Sequence, residues 1–204
     1  MGILGASTAL TRYRIVDPVP DTLLQQVPQK LKDFAFKDID DTSDERSFGW
    51  TSIDDMLDVS WSGSAPEKGA LLCFTLRLET RRVAPAVLKK HAEIALRLEQ
   101  RQAKEQGRDF VSRARKKEIK EQVMLRLRSR SLPIPAVFDC IWNPGANRLF
   151  LGTANSKARL LFEDLFQMTF ELRLEPLAPF YLALDMLGPD QTARLENLEP
   201  TAFV

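Results

Sequence analysis

The sequence predicts an α+β fold, in which an antiparallel sheet body with packed helices bears a projecting basic two-helix hairpin. Short β-branched segments are separated mostly by turn signals and less often by helices, which argues against a parallel α/β sheet. Between residues 81 and 135 this pattern gives way to two long helical stretches. We therefore divide the 204 residues into an α+β body, residues 1–80 and 136–204, and a helical hairpin arm, residues 81–135.

The first part of the body is predicted to contain four strands and one helix. Asp21 is a candidate N-cap for a helix over residues 23–36, although Pro28 inside that segment is awkward for a regular helix. The strands are expected at residues 8–16, 48–52, 58–61 and 69–80. In the last of them, Leu76 and Leu78 alternate with Arg77 and Glu79, the period of a half-buried antiparallel strand.

The second part of the body begins with a predicted hairpin. The turn sequence N-P-G-A-N separates two apolar runs, residues 137–142 and 148–153. Asn155 or Ser156 can cap a helix over residues 157–170. Its expected apolar stripe consists of Leu160, Leu161, Leu165 and Met168, and further strands are expected at residues 172–177 and 180–185.

The arm is predicted to be two helices of about 20 residues, each about 30 Å long. The first runs from Pro85 to about residue 106, where Gly107 provides a stop, and Asp109 is expected to cap a second helix that ends near residue 129. Short connections favour antiparallel packing of neighbouring helices. The predicted seam of the first helix consists of Leu88, His91, Ala95 and Leu98.

Charge is divided unevenly along the chain. Residues 81–130 include sixteen Lys or Arg and six Asp or Glu, a net charge of +10, whereas the remaining residues carry 13 basic and 22 acidic side chains, a net charge of −9. Such an asymmetry indicates contact with nucleic acid or a membrane surface, or else a solvated helical arm laced with salt bridges. A membrane contact is disfavoured because the helices of the arm are poor in Trp and Phe.

Basic residues of the arm are candidates for phosphate contacts. Arg113, Lys116, Lys117 and Lys120 have the i, i+3, i+4, i+7 spacing that places them on one helix face, and Arg97, Arg101 and Lys104 extend the positive charge along the first helix. The apolar residues Ile119, Val123 and Leu127 leave the buried stripe of the second helix undecided. Phosphate contacts bind DNA without reading its bases, so the sequence favours sequence-independent binding that weakens with salt.

The sequence offers few candidates for catalytic residues. His91 is the single histidine and is expected to be structural, while Cys73 and Cys140 lie in apolar runs and are expected to be buried thiols. No phosphate-binding loop is present, and we expect no cofactor and no metal. Two alternatives stay open: a hairpin that docks on a protein partner, and a metal-dependent nuclease that uses the acidic residues Asp38, Asp40, Asp41, Asp44 and Glu45.

The order and spacing of several segments resemble the RdgC family of bacterial recombination-associated proteins. These segments are Ala35-Phe36, Phe48-Gly49-Trp50-Thr51, LRLETRRVAPAVLKKHAEI, RLEQRQAKEQGRD, KKEIKEQVMLRL and FDCIWNPGANRLFLGTANSKARLLFEDL. The resemblance extends from about residue 8 to residue 184. Because family members are typically longer, we expect a C-terminally shortened member.

The resemblance implies a cytoplasmic, nucleoid-associated homo-oligomer that binds duplex DNA and restrains RecA-type strand exchange. The family also carries an exonuclease label. Because the sequence contains no recognisable set of catalytic residues, we expect the protein not to be an enzyme. Basic residues carried over by the resemblance are Arg81, Lys89, Lys90, Arg97, Lys116, Lys117 and Lys120.

Overall fold

The computed structural model describes residue 3 and residues 8–107 and 110–199. The chain forms two compact units. The first comprises residues 1–36, 49–77 and 137–204, and the second comprises residues 37–48 and 78–136. The second unit therefore contains the predicted hairpin arm together with the acidic segment 37–48, which we had assigned to the body.

Seven strands of the described residues form one sheet. They are β1 (Thr11–Ile15), β2 (Arg46–Ser52), β3 (Glu67–Lys68), β4 (Leu71–Thr80), β5 (Ile134–Asn143), β6 (Arg148–Leu151) and β7 (Leu174–Pro176). The strand order is β2-β4-β5-β6-β1-β7, and β3 pairs with β4. The pairings of β1 with β6 and β7, of β5 with β6, and of β3 with β4 are antiparallel.

The described residues also form six α-helices. They are α1 (Asp21–Asp33), α2 (Pro85–Glu105), α3 (Arg113–Arg128), α4 (Ser156–Phe170), α5 (Pro179–Leu187) and α6 (Thr192–Glu196). Short 3₁₀ turns occupy Pro144–Ala146 and Pro189–Gln191. The predicted α+β class is confirmed.

Aromatic side chains form the core of the first unit. Trp50, Trp142, Phe162 and Phe166 are fully buried. The rings of Trp50 and Phe162 meet edge to face with centroids 5.7 Å apart, a geometry that adds to the stabilisation from burial. The indole N–H of Trp50 donates to Thr169 Oγ1 at 2.8 Å, so its polar atom is satisfied inside the core. This packing gives the first unit a rigid scaffold.

Both cysteines are buried, as predicted. Desolvation raises the pKa of the Cys73 thiol and raises that of the Cys140 thiol further. Because the thiolate is the reactive form, both thiols are kept in their unreactive state at neutral pH.

The sheet differs from the prediction in β4 and in residues 58–61. Arg77 and Glu79, expected on a solvent-facing side, are 7% and 4% exposed. Other segments cover the Arg77 side chain, because its guanidinium lies 4.1 Å from the Phe36 ring centroid and its Nη1 donates to the Met56 carbonyl at 3.0 Å. Residues 58–61 are not a strand but a turn. The Asp58 carboxylate accepts hydrogen bonds from the amides of Ser60 and Gly63, which lower its pKa to about 2.

Three helical predictions also need correction. Residues 180–185, expected to be a strand, belong to α5, because a short apolar run does not distinguish strand from helix and Pro179 begins a helix well. Asp21 lies inside the first turn of α1 rather than at its cap, and α1 continues through Pro28. In α4, Leu160 and Met168 are more than 60% exposed, and the buried stripe includes its phenylalanines instead. Asn155 caps α4 as predicted.

Candidate nucleic-acid interface

Helices α2 and α3 form an antiparallel hairpin in the second unit. Ala92 and Ala103 of α2 and Ile119 and Val123 of α3 are its buried residues. The small side chains of α2 allow the larger ones of α3 to approach closely. Gly107, with φ of +73°, follows α2 in the left-handed conformation that favours glycine, which confirms its predicted role as a stop.

The ends and the seam of the hairpin differ in part from expectation. Ser112 caps α3 by accepting a hydrogen bond from the Arg115 amide at 3.2 Å, whereas Asp109, the predicted cap, lies outside the described residues. In α2, Leu98 is 53% exposed and does not belong to the seam. His91 is half-buried, which agrees with a structural role.

A bidentate ion pair joins the two helices. Arg115 Nε lies 2.9 Å from Glu99 Oε1, and Arg115 Nη2 lies 3.2 Å from Glu99 Oε2. Arg115 Nη1 also lies 3.1 Å from Glu118 Oε2. The carboxylates of Glu99 and Glu118 raise the pKa of Arg115 above its ordinary value. Arg115 is therefore committed to holding α3 against α2.

Seven of the ten predicted binding residues are exposed, and within the described residues none of them has a carboxylate within 4.0 Å. They are Lys89, Lys90, Arg101, Lys104, Arg113, Lys116 and Lys120. On α2, the positions of Lys90 and Arg101 lie opposite the buried alanines. The outward face of this helix therefore presents uncompensated positive charge.

Two further predicted residues are exposed but paired. Arg97 contacts Glu93, and Lys117 Nζ lies 3.8 Å from Glu121 Oε1. Exposed pairs four residues apart on a helix contribute only about 0.3–0.5 kcal/mol. Both side chains can therefore exchange their partner for a phosphate at little cost.

Arg81, the tenth predicted residue, is 4% exposed, so its expected place on the binding surface is wrong. Its Nη2 donates to the carbonyl oxygens of Ile39, Asp40 and Thr42 at 2.6, 2.9 and 3.0 Å, and its Nη1 donates to that of Ser131. Five donors in a fixed fork let one guanidinium serve several carbonyls at once. Arg81 therefore organises the acidic segment 37–48 and the chain that follows α3.

Three of the five acidic residues proposed for a nuclease each have a separate partner. Asp38 accepts a hydrogen bond from the Asp40 amide, Asp44 accepts one from Thr42, and Glu45 pairs with Arg128 at 2.8 Å. Within residues 8–107 and 110–199, no three His, Cys, Asp or Glu side chains are placed to hold a metal ion.

Comparison with known families decides the relationship. The family model described as "Putative exonuclease, RdgC" matches residues 8–183. The chain belongs to the RdgC family. This family is associated with recombination. A search of curated proteins found no significant match. In the part of the chain that is described, no helix combines the length and apolar character that crossing a bilayer requires.

Sequence reasoning missed the structural roles of Arg81 and Arg115 in this RdgC-family chain. Arg115 precedes the buried residues Ile119 and Val123 at i, i+4, i+8 spacing, so a helical wheel could have placed it in the interface. Nothing in the local sequence distinguishes buried Arg81 from its exposed neighbour Arg82, because the carbonyls that hold Arg81 come from distant segments.

Proposed function

We propose that this RdgC-family chain binds DNA without sequence preference, through phosphate contacts made by the α2–α3 hairpin. The observation that carries the proposal is the set of seven exposed cations without a carboxylate partner among the described residues. Lysine and arginine stacked along a helix repel one another, and an anionic partner relieves that repulsion. DNA, with one negative charge per about 1.7 Å of helix axis, is such a partner.

Sequence-independent binding follows from the residue types. Ammonium and guanidinium groups on exposed helix faces reach phosphate oxygens, which are the same for every sequence. Gln100, Gln102 and Gln106 of the hairpin do not share one helix face, as the base-reading side chains of a recognition helix do. Affinity is therefore expected to depend on salt concentration and not on base composition.

The biological role that we propose is modulation of RecA-type recombination and replication by a nucleoid-associated homo-oligomer. Family membership supports this role, and the hairpin supplies the chemistry it requires. A protein bound along the phosphate backbone competes with a recombinase for the same DNA, so direct contact with the recombinase is not required.

The triple variant K116E/K117E/K120E tests the hairpin directly. Because three phosphate contacts are replaced by repulsions, we expect duplex affinity to fall about 100-fold and the slope of log K against log salt to become shallower by about 3. Fluorescence anisotropy with two unrelated duplexes at several salt concentrations measures both quantities.

The control variant is K32E/K157E/R194E, which makes the same change in net charge with exposed residues of the first unit. It should leave affinity within about three-fold of wild type, since its residues lie outside the hairpin. Equal losses in both triple variants, or none in the hairpin variant, would contradict the proposed interface. The second result would favour protein docking on the exposed side chains of α2, such as Leu98.

The exonuclease label of the family is tested separately. We propose that the chain has no nuclease activity, because Asp38, Asp44 and Glu45 each have a separate partner and no three metal-ligating side chains converge among the described residues. Incubation of end-labelled single-stranded and duplex DNA with Mg²⁺ or Mn²⁺ should leave both intact. Degradation by wild type that is lost in D40A/D41A would establish the nuclease instead.

A further inference from the structure

Phe110 is unusual among the aromatic residues of this protein. It lies in the connection between α2 and α3 and is 79% exposed, whereas every other described phenylalanine is 38% exposed or less. Its neighbour Val111 is buried, whereas the Phe110 ring is not. An aromatic ring held in water at a charged surface is a ready partner for another planar group.

A cavity of about 420 Å³ adjoins this ring. Arg97, Arg101 and Lys104 of α2 and Lys116 of α3 line it, together with Phe110 and the buried Val111. All four charged residues are cations, and no carboxylate lines the cavity among the described residues. The volume falls within the range of about 300–1,000 Å³ typical of small-ligand sites.

The combination of ring and charges has a specific chemical complement. A phosphate alone would use the cations and leave the ring exposed. An apolar peptide would cover the ring and leave Arg101, Lys104 and Lys116 desolvated without anionic partners, which is costly. A nucleotide of a single strand uses both, because its base stacks on an aromatic ring while its phosphates meet Lys and Arg.

We propose that the Phe110 cavity binds an unpaired base of single-stranded DNA by stacking, with the flanking phosphates held by Arg101, Lys104 and Lys116. This inference rests on the proposed DNA-binding function and deepens it, since it assigns a single-strand site to the connection of the hairpin. In duplex DNA the bases are stacked on one another, so Phe110 contributes little to duplex binding. The hairpin thus binds both forms through phosphates and adds a base contact for the single strand only.

The test compares F110A with wild type on a short oligonucleotide containing 2-aminopurine and on the blunt duplex of the same sequence. Stacking on Phe110 should quench 2-aminopurine emission in the wild-type complex. F110A should remove that quenching and lower single-strand affinity about ten-fold, while duplex affinity changes less than two-fold. F110W, which keeps an aromatic face, should retain both the quenching and the affinity.

L98A provides the matched control, because Leu98 is an exposed apolar residue of the same hairpin. It should bind both DNA forms as wild type does. The stacking inference is overturned if F110A leaves single-strand binding unchanged, or if it weakens single-strand and duplex binding equally. If wild type binds neither single-stranded nor duplex DNA, the proposed function fails. If wild type binds duplex DNA in a salt-dependent way but F110A has no effect on single-strand binding, only the proposed base contact of Phe110 is rejected.

Discussion

Replacement of Gly49 by Ala is expected to lower the free energy of unfolding by about 3 kcal/mol and Tm by roughly 6–12 °C. A Cβ atom at position 49 would lie 2.5 Å from Phe36 Cα and 2.7 Å from the carbonyl carbon of Ala35, and closer still to the Phe36 amide nitrogen. These are backbone atoms that cannot rotate away. The Phe36 amide also donates to the Trp50 carbonyl at 3.0 Å, so separation of the two segments would stretch that hydrogen bond.

Urea unfolding monitored by tryptophan fluorescence measures the effect, because fully buried Trp50 follows Gly49 directly. Gly63→Ala is the matched control. A Cβ there meets only the Asp58 carboxylate at 3.6 Å, and Gly63 does not have a positive φ. The control is expected to change stability by less than about 1 kcal/mol. Equal stability of the two variants would show that the close approach at Gly49 is relieved cheaply.

Replacement of Arg81 by Ala is expected to cost about 3 kcal/mol, and Arg81→Lys should recover little of it. Alanine removes the shared donor from the carbonyls of Asp40, Thr42 and Ser131, and it leaves the Ile39 carbonyl with only the amide and hydroxyl of Thr42. Lysine keeps the charge but has a single nitrogen, which cannot reproduce the fork of the guanidinium. Arg82→Ala, at the exposed neighbouring position, should change stability by less than about 0.5 kcal/mol.

Hydrogen exchange and limited proteolysis locate the loss. In Arg81→Ala, segment 37–48 should exchange and be cleaved faster than in wild type, because its carbonyls no longer have a common donor. DNA affinity of the folded fraction should keep its salt slope, since Arg81 offers no exposed charge. A normal melting curve combined with a shallower salt slope would return Arg81 to the DNA-binding surface.

Much of the hairpin could be predicted from local signals. Pro85, Gly107 and the basic i, i+3, i+4, i+7 pattern of α3 act within one or two helical turns, and the structure contains the helices and exposed cations that they indicate. The cap of α3 was predicted less well. Asp109 and Ser112 are both good capping residues, and sequence alone could not choose between them.

The errors share one physical cause, which is that tertiary environment overrides local pattern. The alternation around Arg77 indicated a half-buried strand, but the Phe36 ring and the Met56 carbonyl contact the Arg77 guanidinium on the face that was expected to be open. The apolar run of residues 180–185 is compatible with either a strand or a helix, and Pro179 favours the helix because proline suits the first helical position. The family resemblance assigned Arg81 to DNA binding, and only the fold brings four carbonyls to it.

The Arg115–Glu99 fork has a mechanical consequence. A guanidinium and a carboxylate that meet through two parallel hydrogen bonds fit in one axial offset only, so a shift of either helix by a single residue would break both bonds. This ion pair therefore fixes the axial register of α2 against α3. The spacing between the cations of α2 and those of α3 is therefore fixed before any ligand binds, so the hairpin presents its charges at constant distances.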